Sequence, residues 1–136
     1  MNYTRYVIII LISAFINLNV LAAPTHVTEF SINAQEDVPT GIAFNSDGTK
    51  MFIVGIDGDD INEYSISVGY DLSSTVTYLD RLPTTGSTAP QDLAFNANGT
   101  EVFIVDTGGN LLSWTLASAY DVSNSTANHD LSLIHI

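Results

Sequence analysis

The feature that most constrains this chain is that it contains its own copy. Residues 39–54 (PTGIAFNSDGTKMFIV) return as residues 90–105 (PQDLAFNANGTEVFIV), an offset of 90 − 39 = 51, with 9 of the 16 positions identical. A self-match at this period marks a repeat architecture, in which one unit cannot bury its apolar faces alone and stacks on its neighbours. Within the unit, Ile42-Ala43-Phe44 reads as a short strand and residues 45–49 as a hairpin turn, with Gly48 free to take positive φ. Met51-Phe52-Ile53-Val54 is apolar on both faces, the pattern of a strand covered from two sides. Residues 56–60 form a second turn. Residues 61–66 are a third strand, with Tyr64 and Ile66 on one face and Glu63 and Ser65 on the other. Residues 67–73 turn again, and residues 75–82 are a more polar fourth strand.

The second copy keeps the order. Trp114 takes the place of Tyr64, and Tyr120-Asp121-Val122-Ser123 repeats Tyr70-Asp71-Leu72-Ser73 at 120 − 70 = 50, so one residue is lost in the second turn. Four antiparallel strands per unit of about 50 residues describe the blade of a β-propeller. The expected fold is therefore all-β: two four-stranded antiparallel blades of an incomplete propeller, after an N-terminal signal helix. Polarity is expected to rise from a buried first strand to an exposed fourth. Ile42, Phe44, Phe52 and Val54, with Leu93, Phe95, Phe103 and Val105, are expected to form the interface between blades.

The segment from Phe44 to Val54 resembles the PDG-type hairpin of bacterial and viral propeller repeats of the YVTN and NHL-like kinds. The resemblance covers about residues 25–130. It implies blades that serve ligand binding, protein docking or, in some members, hydrolysis.

Charge narrows the partners. Fifteen acidic and three basic side chains give a net charge of −12, a surface that repels nucleic acid and anionic membranes. No cysteine is present, which removes disulfides, thiolate catalysis and Cys-type zinc sites. Arg5, the apolar run from Val7 to Val20 and the small residues before Ala23 match a signal peptide cut after Ala22. The run of about 14 residues is short for a membrane span, which needs roughly 20. Export to a periplasmic or extracellular location is expected, with no membrane attachment after cleavage.

The chain then divides into a signal peptide (1–22), an N-terminal outer strand (23–38), a first repeat (39–89) and a second, truncated repeat (90–130). A tail (131–136) leaves the repeat pattern and resembles a translated sequencing adapter. Residues 27–32 sit where a fourth strand sits in the repeat, as if to complete a distant blade. Two blades are too few for a ring, which takes about four to eight. Missing C-terminal blades of the same chain are therefore expected as partners, and residues 23–130 alone are expected to be oligomeric, aggregation-prone or partly folded.

Candidate chemistry is sparse. No cofactor is expected, although Asp57-Gly58-Asp59-Asp60 could supply oxygens to Ca²⁺. The spacing is not that of an EF-hand loop, and the second copy replaces Asp59 and Asp60 with Gly109 and Asn110, so a solvated turn is the better reading. Asp47 and Asn98 read as Asx turns, and Asp71 and Asp121 as acceptors for nearby backbone N–H groups. Tyr64, Tyr78 and Trp114 read as packing residues. No catalytic set is found, and the three histidines lie near the ends. The site hypothesis is an acidic upper rim formed by Asp37, Asp57, Asp59, Asp60, Asp92, Asp106 and Asn110, on the loop face where repeats place function. The first reading is a non-catalytic binding module for a protein or small ligand. The alternative, implied by the resemblance, is a calcium-dependent lactonase-like hydrolase using Asp92, Asp106 and Asn110.

Overall fold

The computed structural model describes residues 25–126. The signal segment (1–22) and the tail (131–136) lie outside the described residues. The described chain is all-β, with no helix. Strands β1 (Pro39–Phe44), β2 (Lys50–Gly55), β3 (Asp60–Ile66) and β4 (Val76–Pro83) form one sheet in that order. Strands β5 (Pro90–Phe95), β6 (Glu101–Asp106), β7 (Leu111–Ser118) and β8 (Asp121–Thr126) form a second. All neighbours are antiparallel.

The repeated hairpin folds the same way twice. Asn45 Oδ1 accepts the Lys50 N–H at 2.9 Å, and the Asp47 carboxylate accepts both the N–H and hydroxyl of Thr49. Asn96 and Asn98 make the matching bonds to Glu101 and Thr100. Gly48 and Gly99 take φ of 72° and 71°. Each turn is then clasped by a tyrosine from the β3–β4 or β7–β8 connection. Tyr70 and Tyr120, themselves at positive φ, donate their N–H groups to Gly48 O at 3.0 Å and Gly99 O at 2.8 Å. Their rings lie over the glycines, where a Cβ would come within 2.3 Å and 2.2 Å of ring carbons. Asp71 and Asp121 accept the backbone N–H groups of Ser73 and Ser123, as the sequence anticipates. Both sheets also carry a register shift at the start of their first strand pair, between Pro39 and Gly41 and between Pro90 and Asp92. A proline has no N–H for the ladder and is tolerated at such a strand start.

The sheets pack face to face. The first contributes Phe52, Val54, Ile61 and Leu82 to the shared core, and the second contributes Val102, Ile104, Trp114 and Val122 among others. Phe52 lies 4.5 Å, centroid to centroid, from Phe95. This corrects the expected interface. Phe52 and Val54 belong to it, but their counterparts Phe103 and Val105 face away, and Val105 is 44% exposed. Ile42 and Phe44 also lie outside it: Ile42 is exposed, and Phe44 packs on the first sheet's other core with Met51 and Ile53. The cause is the period of two along a strand. One alternate set of β2 meets the opposite alternate set of β6, so the repeats stack head to tail.

The expected polarity gradient is also corrected. The buried strands are β2 and β3, while β1 is only half covered. Strand β1 ends its sheet's order with one neighbour, so apolar composition alone does not bury it. Strand β4 is largely exposed, as expected. Residues 27–32 form no strand. Ile32 nevertheless packs on the outer core of the first sheet, and the Phe30 ring meets Tyr64 edge-on at 5.9 Å.

One buried carboxylate and a half-buried lysine hold this arrangement. Glu63 on β3, 2% exposed, accepts from Lys50 Nζ at 2.6 Å and from the Val122 N–H of the second sheet at 2.8 Å. Lys50 Nζ also donates to Tyr120 O at 2.6 Å. Removing one partner leaves a buried donor unmet, at about 1–3 kcal/mol. Glu63→Ala is therefore expected to lower stability by about that much in urea unfolding and to speed exchange of the Val122 amide. Unchanged protection of that amide would contradict the clasp.

Candidate functional site

The rim expected to carry function is built around two carboxylates that do the same structural job by different routes. Asp106 ends β6. Its oxygens accept the Thr88 N–H at 3.0 Å and the Asn110 N–H at 2.9 Å, together with the Thr88 hydroxyl and the Asn110 amide. It thus ties the segment entering β5 to the β6–β7 turn. The equivalent position in the first sheet is Gly55, by 106 − 51 = 55. There the carboxylate arrives from the entering segment instead. Glu36, fully buried, accepts the N–H groups of Val38 at 2.8 Å and Asp57 at 3.2 Å, and of Gly58 at 3.4 Å. A Cβ on Gly55 would lie 2.2 Å from the Glu36 carboxyl carbon. Glycine at 55 makes room for Glu36, and aspartate at 106 makes Glu36's counterpart unnecessary.

Burial pushes the Asp106 carboxyl up, but hydrogen bonds from the Thr88 and Asn110 backbone and side chains outweigh it and hold the group at about 2. The ordinary value is 3.8. A depressed carboxyl stabilises the fold above its unfolded pKa, and that contribution disappears as pH falls from about 4 towards 2. Asp106→Asn is expected to remove on the order of 1–2 kcal/mol at neutral pH. It should also flatten the stability profile between pH 4 and 2 in urea melts. An unchanged acid limb in the variant would contradict this role.

The remaining rim residues are not brought together. Asp60 corrects the reading of a solvated turn through residue 60. It opens β3 at 2% exposure, accepts from Asn62 Nδ2 at 2.6 Å and pairs with Arg81 at 3.0 Å. The turn ends one residue earlier, at Asp59, whose φ is 46° and whose carbonyl accepts the Thr84 N–H and hydroxyl. Asp37, Asp57, Asp59 and Asn110 are exposed. Asp92 is exposed on β5, and its Oδ1 accepts the N–H of Leu93 at 2.9 Å. Among the described residues, no group of three or more His, Asp or Glu side chains is placed to hold a metal ion.

An open concave surface lies where the edge strands β1 and β5 meet. Pro39, Thr40, Gly41, Ile42, Gln91 and Asp92 border an open groove of ≈ 440 Å³. Thr40 Oγ1 donates to Pro90 O at 2.7 Å and fastens the two strands at its floor. Gly41 allows the close approach, since a Cβ there would lie 2.8 Å from Asp92 Cα. Of the seven rim residues, the groove includes only Asp92. Tyr64 and Trp114 are core residues, at 0% and 3% exposure, and Tyr78 lies against Tyr64 at 5.6 Å.

Sequence reasoning passed over Glu63 and Lys50, which clasp the sheets, and the tyrosine clasp on each hairpin. Glu63 had one available signal: at the strand period of two it shares a face with the apolar Ile61. No protein family matches this chain, and neither the curated proteins nor the solved structures give a match.

Proposed function

We propose that the chain is an exported, non-catalytic repeat module of the β-propeller kind, whose two sheets are consecutive blades and whose β1–β5 groove binds a protein segment or small ligand. The observation that carries this reading is the division of labour among the carboxylates. Glu36, Asp60, Glu63 and Asp106 are spent on backbone N–H groups and ion pairs of the fold. Asp92, beside Gln91 in the groove, stays exposed to solvent. A groove edged by one carboxylate and one amide, on a chain of net charge −12, favours a neutral or cationic ligand. The lactonase-like alternative would require Asp106 to release the donors of Thr88 and Asn110 before it could ligate calcium.

Titration of the isotope-labelled protein with a lysine-rich peptide, followed by NMR, tests the reading. Shifts are expected at residues 40–42 and 91–92, and Asp92→Lys should abolish them. Calcium-dependent turnover of lactone or ester substrates that disappears in Asp106→Ala would overturn the proposal. Calorimetric calcium binding is expected to be weak and salt-sensitive.

A further inference from the structure

One face of the repeat is buried twice, under two different covers. In the second sheet, Val102, Ile104, Trp114 and Leu116 lie in the core shared with the first sheet. Their equivalents in the first sheet are Met51, Ile53, Tyr64 and Ile66, at offsets of 51 before the second turn and 50 after it. These four are buried just as fully, at 2%, 4%, 0% and 2% exposure, although among the described residues no third sheet lies over them. Their cover is the segment that precedes β1. The Phe30 ring meets Tyr64 edge-on at 5.9 Å, and Ile32 packs on the cluster beside Phe44, Leu72 and Val76 of the repeat itself.

The segment is anchored at the positions where the first repeat departs from the second. It turns at Ile32, whose carbonyl accepts the N–H groups of Gln35 at 2.9 Å and Glu36 at 3.0 Å. The Tyr64 hydroxyl donates to Gln35 Oε1 at 3.4 Å, and Trp114 at the equivalent position has no hydroxyl to offer. Glu36 enters the space that Gly55 leaves and accepts the N–H groups of Val38, Asp57 and Gly58. Asp106 fills that space in the second repeat. The first repeat is thus fitted to a single strand of chain where the second is fitted to a sheet.

We propose that residues 25–38 are an end cap, which takes the position of a preceding sheet on the first repeat and keeps any further sheet off that face. Stacked repeats need such an element, because an end unit otherwise leaves an apolar face in water. Residues 27–32, expected from the sequence to complete a distant sheet, cover a face instead of extending an edge. A ring that closed onto this face would first have to displace Phe30 and Ile32. The cap stands on the equivalence of the two repeats and is independent of what the groove between β1 and β5 binds.

Sedimentation velocity of the full chain carrying Phe30→Asp and Ile32→Asp together, beside the unsubstituted chain, tests the cap. Amide exchange at Asp57 and Gly58, whose N–H groups Glu36 accepts, reports whether the segment has left, and both amides are expected to exchange faster in the variant. Trp114 emission and circular dichroism report whether the two sheets still pack, and both are expected to be unchanged. With the face uncovered, the variant is expected to form larger species than the unsubstituted chain at every matched concentration, since exposed apolar patches promote association. A synthetic peptide of residues 25–38, added in excess, should reverse that growth. If the aspartate pair unfolds the sheets, Phe30→Ser with Ile32→Ser takes its place. A folded variant that sediments like the unsubstituted chain, or growth that the peptide leaves unchanged, would overturn the proposal. Unfolding of both pairs would overturn it too, by making the segment part of the core that the sheets cannot fold without.

Discussion

Phe52→Ala is expected to lower stability by about 3–5 kcal/mol, the usual cost of emptying a buried phenylalanine site. Phe52 is fully buried on β2. Its ring lies 4.5 Å from Phe95 and 6.4 Å from Tyr120, so the loss falls on the contact between the sheets. Against a total of about 5–15 kcal/mol for a small domain, this is a large fraction. Phe103 occupies the same place in the second repeat but faces away from the first sheet. Phe103→Ala is expected to cost about 1 kcal/mol or less when measured in dilute solution, in line with substitutions outside the core. Urea unfolding of the two variants side by side makes the comparison. Equal losses would contradict the head-to-tail stacking.

Gly48→Val and Gly99→Val are expected to be nearly as damaging, each through two costs. A β-branched residue at φ near 70° is strained by about 1–3 kcal/mol. The new side chain would also enter the ring of Tyr70 or Tyr120, and forcing extra atoms into a packed site costs about 1–3 kcal/mol more. Gly48→Ala should therefore also destabilise, whereas an exposed turn glycine without a neighbour would tolerate alanine better. Gly109 offers that control. Its φ is 80°, and nothing lies within 4 Å of where a Cβ would stand. Gly109→Ala should show only the backbone cost. Thermal melts of the alanine series separate the two contributions. A Gly48→Ala loss no greater than that of Gly109→Ala would refute the tyrosine clasp.

The hairpins were legible because their signal is local. Asn45, Asp47, Gly48 and Thr49 each act within five residues, and the same chemistry recurs at Asn96, Asn98, Gly99 and Thr100. The burial of β2 was legible from its unbroken apolar run. The same run hid which alternate residues face the neighbour, since Met51 and Ile53 are as apolar as Phe52 and Val54. Only the packing of the second sheet separates them. The rim was less readable for a different reason. Carboxylate-rich turns look alike whether the oxygens meet solvent or backbone N–H groups. Asp60 is buried because Arg81, 21 residues away, reaches it across the sheet. Glu36 is buried because Gly55, on another element, leaves space for it. Neither relation has a short-range pattern. The groove between β1 and β5 was invisible for the same reason, as it joins residues about 50 positions apart.

The face-to-face packing of the two repeats is tested most directly by a double-mutant cycle on Phe52 and Phe95, whose rings meet across the interface. Stability is measured for the unsubstituted chain, Phe52→Ala, Phe95→Ala and the double variant by urea unfolding. Aromatic pairs in contact couple by about 0.5–1.5 kcal/mol. The account predicts a coupling in that range, with the double variant losing less than the sum of the single losses. Additivity within about 0.3 kcal/mol, the behaviour of residues that do not touch, would contradict it.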